Sequence, residues 1–170
     1  MSTVPFVTCD LLDDHPEHEL QVVIPSLDGK FFKSYGARKT FGGQIVTVKC
    51  FEDNSRVKEL LATDGTGKVL VVDGGASMRC ALMGDLIAES AVKNHWNGVI
   101  IYGCVRDVDA IAALDLGVHA LASIPQKSNR KGVGEVDVSL HFGQVTFNSG
   151  DYVYADNNGI IVAKEKLVDL

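Results

Sequence analysis

One stretch limits the fold more than any other: Val99-Ile-Ile-Tyr-Gly-Cys-Val-Arg-Asp-Val-Asp109. Its first half is an apolar, β-branched run, the composition of a strand covered on both faces rather than one that alternates between core and water. Lys68-Val-Leu-Val-Val-Asp73 has the same character. Residues with helical spacing lie between the two. Buried strands joined through a helix make a parallel pair inside a layered α/β sheet. The apolar run then gives way abruptly to Arg106 and Asp107, the place where open α/β sheets present ligands.

The rest of the chain extends this pattern. Residues 1–20 are polar and mixed. His15 and His18 have helical spacing, but Pro16 separates them and no third ligand is near, so they read as a solvated segment. Leu20–Ile24 is strand-like and is stopped by Pro25, and Asp28-Gly29 is a turn signal. Gln44–Cys50 is β-branched and partly alternating. Asp53-Asn54-Ser55 offers an N-cap to a short helix carrying Val57, Leu60 and Leu61. After Asp73-Gly74-Gly75 the pattern turns helical from Ser77, breaks at Gly84 and restarts over Asp85–Trp96, with Leu86, Ile87, Ala91, Val92 and Trp96 on one face. Val108–Leu114 reads as a short helix, Val118–Ile124 as a strand, and Lys127–Lys131 as a solvated basic tip. The final third is β-like: Val136–Phe142, Val145–Phe147 and Tyr152–Tyr154, then a tight turn at Asp156–Gly159 and Ile160–Ala163. The expectation is one α/β domain with a mixed central sheet flanked by helices.

The totals exclude several functions. A chain of 170 residues holds one well-buried core. Its net charge of −6 argues against broad nucleic-acid binding, which needs a basic face. No apolar run approaches the ~20 residues that span a bilayer. No secretory signal is visible, which points to the cytoplasm. Cys9, Cys50, Cys80 and Cys104 include no CxxC pair and read as reduced thiols. Gly65-x-Gly67 precedes its strand and lacks a third glycine, so it is no dinucleotide fingerprint. No phosphate loop or nucleophile elbow appears. Lys49 has the chemistry of a Schiff-base lysine, but it alternates with inward residues and reads as a rim side chain.

What remains is a metal-and-anion constellation. Gly84 at a helix head leaves the first amides without side-chain cover, and unpaired amides plus the helix dipole attract anions. Arg106 adds a two-pronged donor suited to carboxylate. Asp107 offers oxygen to a hard cation such as Mg²⁺. Asp85 is an acceptor at the same helix start. The bland alternative is a surface Arg–Asp pair worth ~0–1 kcal/mol, with Asp85 merely complementing the dipole.

Several blocks together resemble the RraA-like family. They are Phe41–Asn54 (FGGQIVTVKCFEDN), Val69–Gly75 (VLVVDGG), Gly84–Ala88 (GDLIA), Tyr102–Asp109 (YGCVRDVD) and Tyr154–Ile160 (YADNNGI). The family contains 4-hydroxy-4-methyl-2-oxoglutarate aldolases and a regulator of ribonuclease E, and some members have carried a menaquinone methyltransferase name. The resemblance implies a swivelling β/β/α fold assembled as a homotrimer or hexamer. For the aldolase branch it implies that Gly84, Asp85, Leu86 and Ile87 bind the substrate carboxylate through backbone amides. Arg106 then contacts the 2-oxo acid, and Asp107 binds Mg²⁺ or Mn²⁺. The implied reaction yields pyruvate, with oxaloacetate decarboxylation as a side activity. An acidic residue brought by a neighbouring subunit is not matched; Asp156 and Glu135 are the candidates. The competing class is a non-catalytic regulator whose acidic surface meets a basic ribonuclease. A methyltransferase would need a cofactor loop that the sequence does not show.

Overall fold

The computed structural model describes residues 5–25 and 30–169. The turn expected at Asp28-Gly29 lies outside them. In chain order the elements are α1 (Thr8–Asp14), β1 (Gln21–Val22), β2 (Lys33–Ser34), β3 (Phe41–Lys49), α2 (Ser55–Leu61), β4 (Lys68–Asp73), β5 (Ala81–Met83) and α3 (Asp85–Lys93). They continue with β6 (Gly98–Val105), α4 (Val108–Ile111), β7 (Gly117–Ser123), β8 (Glu135–Val136), β9 (Leu140–Phe142), β10 (Val145–Phe147), β11 (Tyr152–Asp156) and β12 (Gly159–Ala163).

One mixed sheet follows the path β1-β12-β11-β3-β4-β6-β7-β2, with β5 alongside β6 and β8 alongside β3. Its centre, β3-β4-β6-β7, is parallel, and its outer strands are antiparallel. β9 and β10 form a separate hairpin. The two-sided apolar strands explain the layering. Along β4, Leu70 and Val72 enter a core beneath α2 and α3 with Val57, Leu61, Ile87 and Ala91. Val69 and Val71 point the other way, into a core with Leu140, Phe142, Val145 and Phe147 of the hairpin. Each such side chain contributes ~1.5–3 kcal/mol on burial, so both faces of β4 hold the layers together. The result is helices, sheet and hairpin in three layers. A smaller cluster seats α1, through Leu11, on Tyr154 and Ile161 of β11 and β12.

Several sequence readings change. Residues 81–83 are a strand, not the start of a helix. Ala81 pairs with Cys104 and Met83 with Val105, and periodicity cannot separate a three-residue buried strand from a helical turn. α3 stops at Lys93, and Trp96 lies beyond it, bridged to Thr66 and donating its indole N–H to the Thr63 carbonyl at 2.9 Å. Leu86, expected on the apolar face, is 75% exposed. The Lys127–Lys131 loop is not a free tip. Asn129 exchanges backbone hydrogen bonds with Glu52 and Asn54, and the Lys131 amide donates to Asp53 at 2.7 Å. Lys49 is exposed at the end of β3, as expected.

Candidate active site

The site grows from a step in the sheet. β4 pairs with β6 only as far as Asp73↔Tyr102. β6 continues beyond that point to Val105, and β5 takes over as its parallel neighbour. The carboxyl ends of β5 and β6 therefore open on the same side. Gly84 and α3 follow one, and Arg106 and Asp107 follow the other. As parallel strand ends, Asp73-Gly74-Gly75 and the Arg106 edge would be expected to open side by side. The structure instead inserts β5, and Asp73 and Gly75 line a different hollow with Lys49 and Glu135.

A cleft of about 450 Å³ sits over this step. Gly84, Asp85, Leu86, Ile87, Arg106 and Asp107 all line it, so these six residues singled out from the sequence are brought to one place. The opposite wall is the anchored loop, with Lys127 and Arg130. Sequence reasoning missed this wall, because loop composition carries no sign of where a loop folds back. Asn54 fastens it: its side-chain amide donates to the Leu82 carbonyl at 3.1 Å, while its oxygen accepts from Arg130 Nε at 3.2 Å.

The helix start is not bare, contrary to the sequence reading. The Asp85 amide donates to Asp107 Oδ2 at 3.1 Å, and the Leu86 amide to Asp85 Oδ1 at 2.8 Å. Two carboxylates thus occupy the positive end of the α3 dipole, where an incoming anion would compete with them. This arrangement requires Gly84. A Cβ there would lie 2.5 Å from Asp107 Oδ2 and 3.3 Å from Arg106 Nε. Gly84 has φ −123°, an extended backbone open to any residue, so what it provides here is space.

Asp107 itself is strained. Its φ of 56° and ψ of 43° are left-handed, a conformation that costs a non-glycine residue of order 1–3 kcal/mol and is best tolerated by Asn and Asp. Its carboxylate turns back toward Gly84 and the Asp85 amide. Arg106 Nε stands 3.9 Å from Asp107 Oδ2, each side chain is 40% exposed, and Arg106 Nη1 reaches the Pro125 carbonyl at 3.5 Å. An ion pair this exposed adds ~0–1 kcal/mol of stability, so its energetic weight does not explain the arrangement.

Neither candidate for the missing acid lines the cleft. Asp156 is buried in the β11–β12 turn. Burial alone would raise its pKa, but hydrogen bonds from the Thr8 amide and hydroxyl and from Asn158 hold it below the usual carboxylate value. Glu135 lies on β8, next to Lys49 in register. Among the described residues no group of three or more His, Cys, Asp or Glu side chains is placed to hold a metal. His15 and His18 lie with ring centroids 5.6 Å apart, beside Glu17 and Glu165. No helix among the described residues is long and apolar enough to cross a membrane.

Comparisons with known proteins place the whole chain. The RraA-like family model, described as Aldolase/RraA, matches residues 8–162. A protein of Acinetobacter baylyi is 80% identical over 99% of both chains and is named "Putative 4-hydroxy-4-methyl-2-oxoglutarate aldolase". One of Alcanivorax borkumensis, with the same name, is 60% identical over 96% of this chain and 99% of its own. Among solved structures, a Geobacillus kaustophilus protein titled S-adenosylmethionine:2-dimethylmenaquinone methyltransferase superposes with a TM-score of 0.89 at 46% identity, covering 95% of this chain and 97% of its own. The RNA-processing inhibitor RraA of Thermus thermophilus gives 0.86 at 39% identity, over 95% and 94%.

Proposed function

The chain belongs to the RraA-like family, and from that premise we propose that it is a carbon–carbon lyase. It cleaves 4-hydroxy-4-methyl-2-oxoglutarate or a related 4-hydroxy-2-oxo acid to pyruvate with the help of Mg²⁺ or Mn²⁺. The observation that carries the proposal is the convergence of Gly84, Arg106 and Asp107 on one cleft, with a glycine where any side chain would displace the Asp107 carboxylate.

The residues present fit such a cation. Asp107 offers a half-exposed carboxylate whose one oxygen is bound by the Asp85 amide. A single hard oxygen ligand in a roomy cleft suits a cation that keeps most of its water and takes further oxygens from substrate, as Mg²⁺ does. A closed structural site would need more protein ligands. When bound, the cation would be held by Asp107 and would draw electron density from the substrate's 2-oxo group.

The chain's own groups do the rest. The first-turn amides of α3 receive the substrate carboxylate as the Asp85 and Asp107 side chains yield those positions. The Arg106 guanidinium orients the 2-oxo acid and stabilises negative charge growing on its C2 oxygen. The Asp85 carboxylate accepts the C4 hydroxyl proton through a water molecule. The C3–C4 bond then breaks, its electron pair passes to C3 as the enolate of pyruvate, and the C4 fragment leaves as a carbonyl compound. Protonation at C3 releases pyruvate. Oxaloacetate decarboxylation gives the same enolate, so it is the expected side activity. No lysine takes part. The assembly proposed is a homotrimer or hexamer in the cytoplasm, with a neighbouring copy supplying the acid that the cleft lacks.

A second reading draws on the Thermus relative, whose title names an RNA-processing inhibitor: a regulator that binds ribonuclease E without catalysis. One assay separates the two. Pyruvate release that rises with Mg²⁺ and stops with EDTA supports the lyase. No release, together with tight binding to the ribonuclease, supports the regulator.

A further inference from the structure

The far wall of the cleft carries Lys127 and Arg130, and it is held in place by an uncommon means. Residues 129–133 are all exposed, so packing of their side chains does not anchor them. Hydrogen bonds to residues 52–56 do. The Asn129 amide donates to the Glu52 carbonyl at 2.9 Å, and the Asn129 carbonyl accepts from the Asn54 amide at 3.1 Å. Arg130 Nε donates to Asn54 Oδ1 at 3.2 Å, the Lys131 amide to Asp53 Oδ2 at 2.7 Å, and the Gly132 amide to Ser55 Oγ at 2.8 Å. The Gly132 carbonyl accepts from Arg56.

Asp53 is the centre of this ladder. It is 3% exposed, and its carboxylate binds in two directions at once. Oδ1 accepts from the Ser55 amide at 2.9 Å and from the Ser55 hydroxyl at 2.7 Å. With its proton given to Asp53, the Ser55 hydroxyl has lone pairs left for the Gly132 amide. Toward the loop, the carboxylate accepts from the Lys131 and Val133 amides. Burial alone would raise the Asp53 pKa, but these hydrogen bonds hold it below the usual carboxylate value, so it is charged at neutral pH. Only an ionised carboxylate offers acceptors on both oxygens. An asparagine there would turn N–H toward N–H on one side.

The turn itself does not need these loop bonds. Asp64 makes the same local pattern with Thr66, accepting from its amide at 3.1 Å and its hydroxyl at 2.7 Å, and those bonds stay within the turn. What Asp53 adds is a hold on a segment 78 residues away in sequence. The same stretch also touches the opposite wall, because the Asn54 side chain donates to the Leu82 carbonyl of β5, just ahead of Gly84. Residues 53–55 therefore join the wall that carries Gly84 to the wall that carries Lys127 and Arg130.

We infer that Asp53 is a positioning residue for the proposed reaction. Through the Lys131, Gly132 and Val133 amides it sets how far the wall carrying Lys127 and Arg130 stands from Arg106 and Asp107. It thereby sets the fit of the part of the substrate that the α3 wall does not grip. The inference rests on the lyase reading and assigns Asp53 no contact with substrate.

The test compares the intact assembled protein with Asp53→Asn, Ser55→Ala and Asp64→Asn. Pyruvate release from 4-hydroxy-4-methyl-2-oxoglutarate is followed against substrate and against Mg²⁺, and amide hydrogen exchange is read on the same samples. Asp53→Asn should raise KM at least about tenfold, the loss expected for one hydrogen bond to a charged group. Its kcat should stay within about threefold of the parent's. The Mg²⁺ concentration for half-maximal rate should not move, because Asp107 belongs to the other wall. Amides 131–133 should exchange at least about tenfold faster while those of β4 and β6 keep the parent rates. Ser55→Ala should shift KM and the Gly132 amide in the same direction, by less. Asp64→Asn, which disturbs the same kind of turn elsewhere, should keep the parent KM. An unchanged KM in Asp53→Asn would overturn the inference. So would KM, kcat and Mg²⁺ requirement all worsening together, the mark of general loosening. If Asp53→Asn fails to fold, an unchanged KM in Ser55→Ala overturns it instead. A parent protein that releases no pyruvate would sink the lyase reading and this inference with it, whereas an active parent with an indifferent Asp53 sinks the inference alone.

Discussion

Gly84→Ala places a methyl group against the site's own carboxylate. The added Cβ would lie 2.5 Å from Asp107 Oδ2. Ordinary contact begins at 3.4 Å, so the carboxylate must retreat by roughly 0.9 Å. The neighbour that gives way is the end of a half-exposed side chain, and Gly84 has φ −123° and ψ −161°, so alanine meets no backbone strain. Retreat loosens the hydrogen bond from the Asp85 amide, a cap-like contact worth ~1 kcal/mol. Alanine also reduces the entropy of the unfolded chain, a gain of ~0.4–1 kcal/mol. The two nearly cancel, and at ~2–4 °C per kcal/mol for a chain of this size the melting temperature should move by only a few degrees. Activity should not be spared. A displacement of about 1 Å in a positioning group can cost ~100-fold in rate. Thermal melts and pyruvate-release kinetics on the same preparation measure both. A variant with unchanged kcat/KM and unchanged Mg²⁺ dependence would refute the view that Gly84 exists to seat Asp107.

Three further outcomes follow from particular contacts. Asp107→Asn should keep the left-handed turn, because Asn tolerates it nearly as well as Asp; stability should therefore change by less than about 1 kcal/mol while pyruvate release falls at least ~100-fold, whereas an unfolded variant in thermal melts would contradict the backbone reading. His119 should make the fold acid-sensitive. Burial holds its folded pKa near 4 against an unfolded value of 6.5, so the unfolded chain takes up a proton that the folded chain refuses. Stability is then complete above about pH 6.5 and falls by up to roughly 3 kcal/mol as the pH drops toward 4. Glu52, Asp53, Asp64, Asp115 and Asp156 are all held below their ordinary values by hydrogen bonds and add a loss of the same sign only as the pH approaches those ordinary values. Urea midpoints measured between about pH 5 and 6.5 therefore report the histidine, and a flat curve there would overturn its assignment as neutral. Lys49→Ala should leave turnover within about twofold, and borohydride with substrate should leave the protein unlabelled; a trapped adduct would move the chemistry to a Schiff base.

How much of this was readable in advance differs from element to element. The doubly apolar runs of β4 and β6 announced a covered parallel sheet, and the break from Val105 to Arg106 marked the edge where the proposed site lies. Gly84 was visible as a break, but its reason was not, because a gap for a carboxylate 23 residues away leaves no local pattern. β5 was misread for a related reason: three buried residues carry too little periodicity to choose between strand and helix. Leu86 fits the helical stripe yet faces the cleft mouth, since an apolar residue in a first turn can serve a site instead of a core. The Lys127–Lys131 wall depends on long-range bonds to Asp53 and Asn54 that sequence spacing cannot indicate. Asp107's left-handed backbone had one faint signal, its being among the few residue types that accept it.

The most direct test of the account is the Mg²⁺ dependence of pyruvate formation from 4-hydroxy-4-methyl-2-oxoglutarate, run side by side for the parent protein and Asp107→Asn. The account predicts a saturable rise for the parent, abolished by EDTA and restored by added Mg²⁺, and a trace near zero for the variant at every concentration. Pyruvate formation that proceeds undiminished in EDTA, or equally fast without the Asp107 carboxylate, would contradict it.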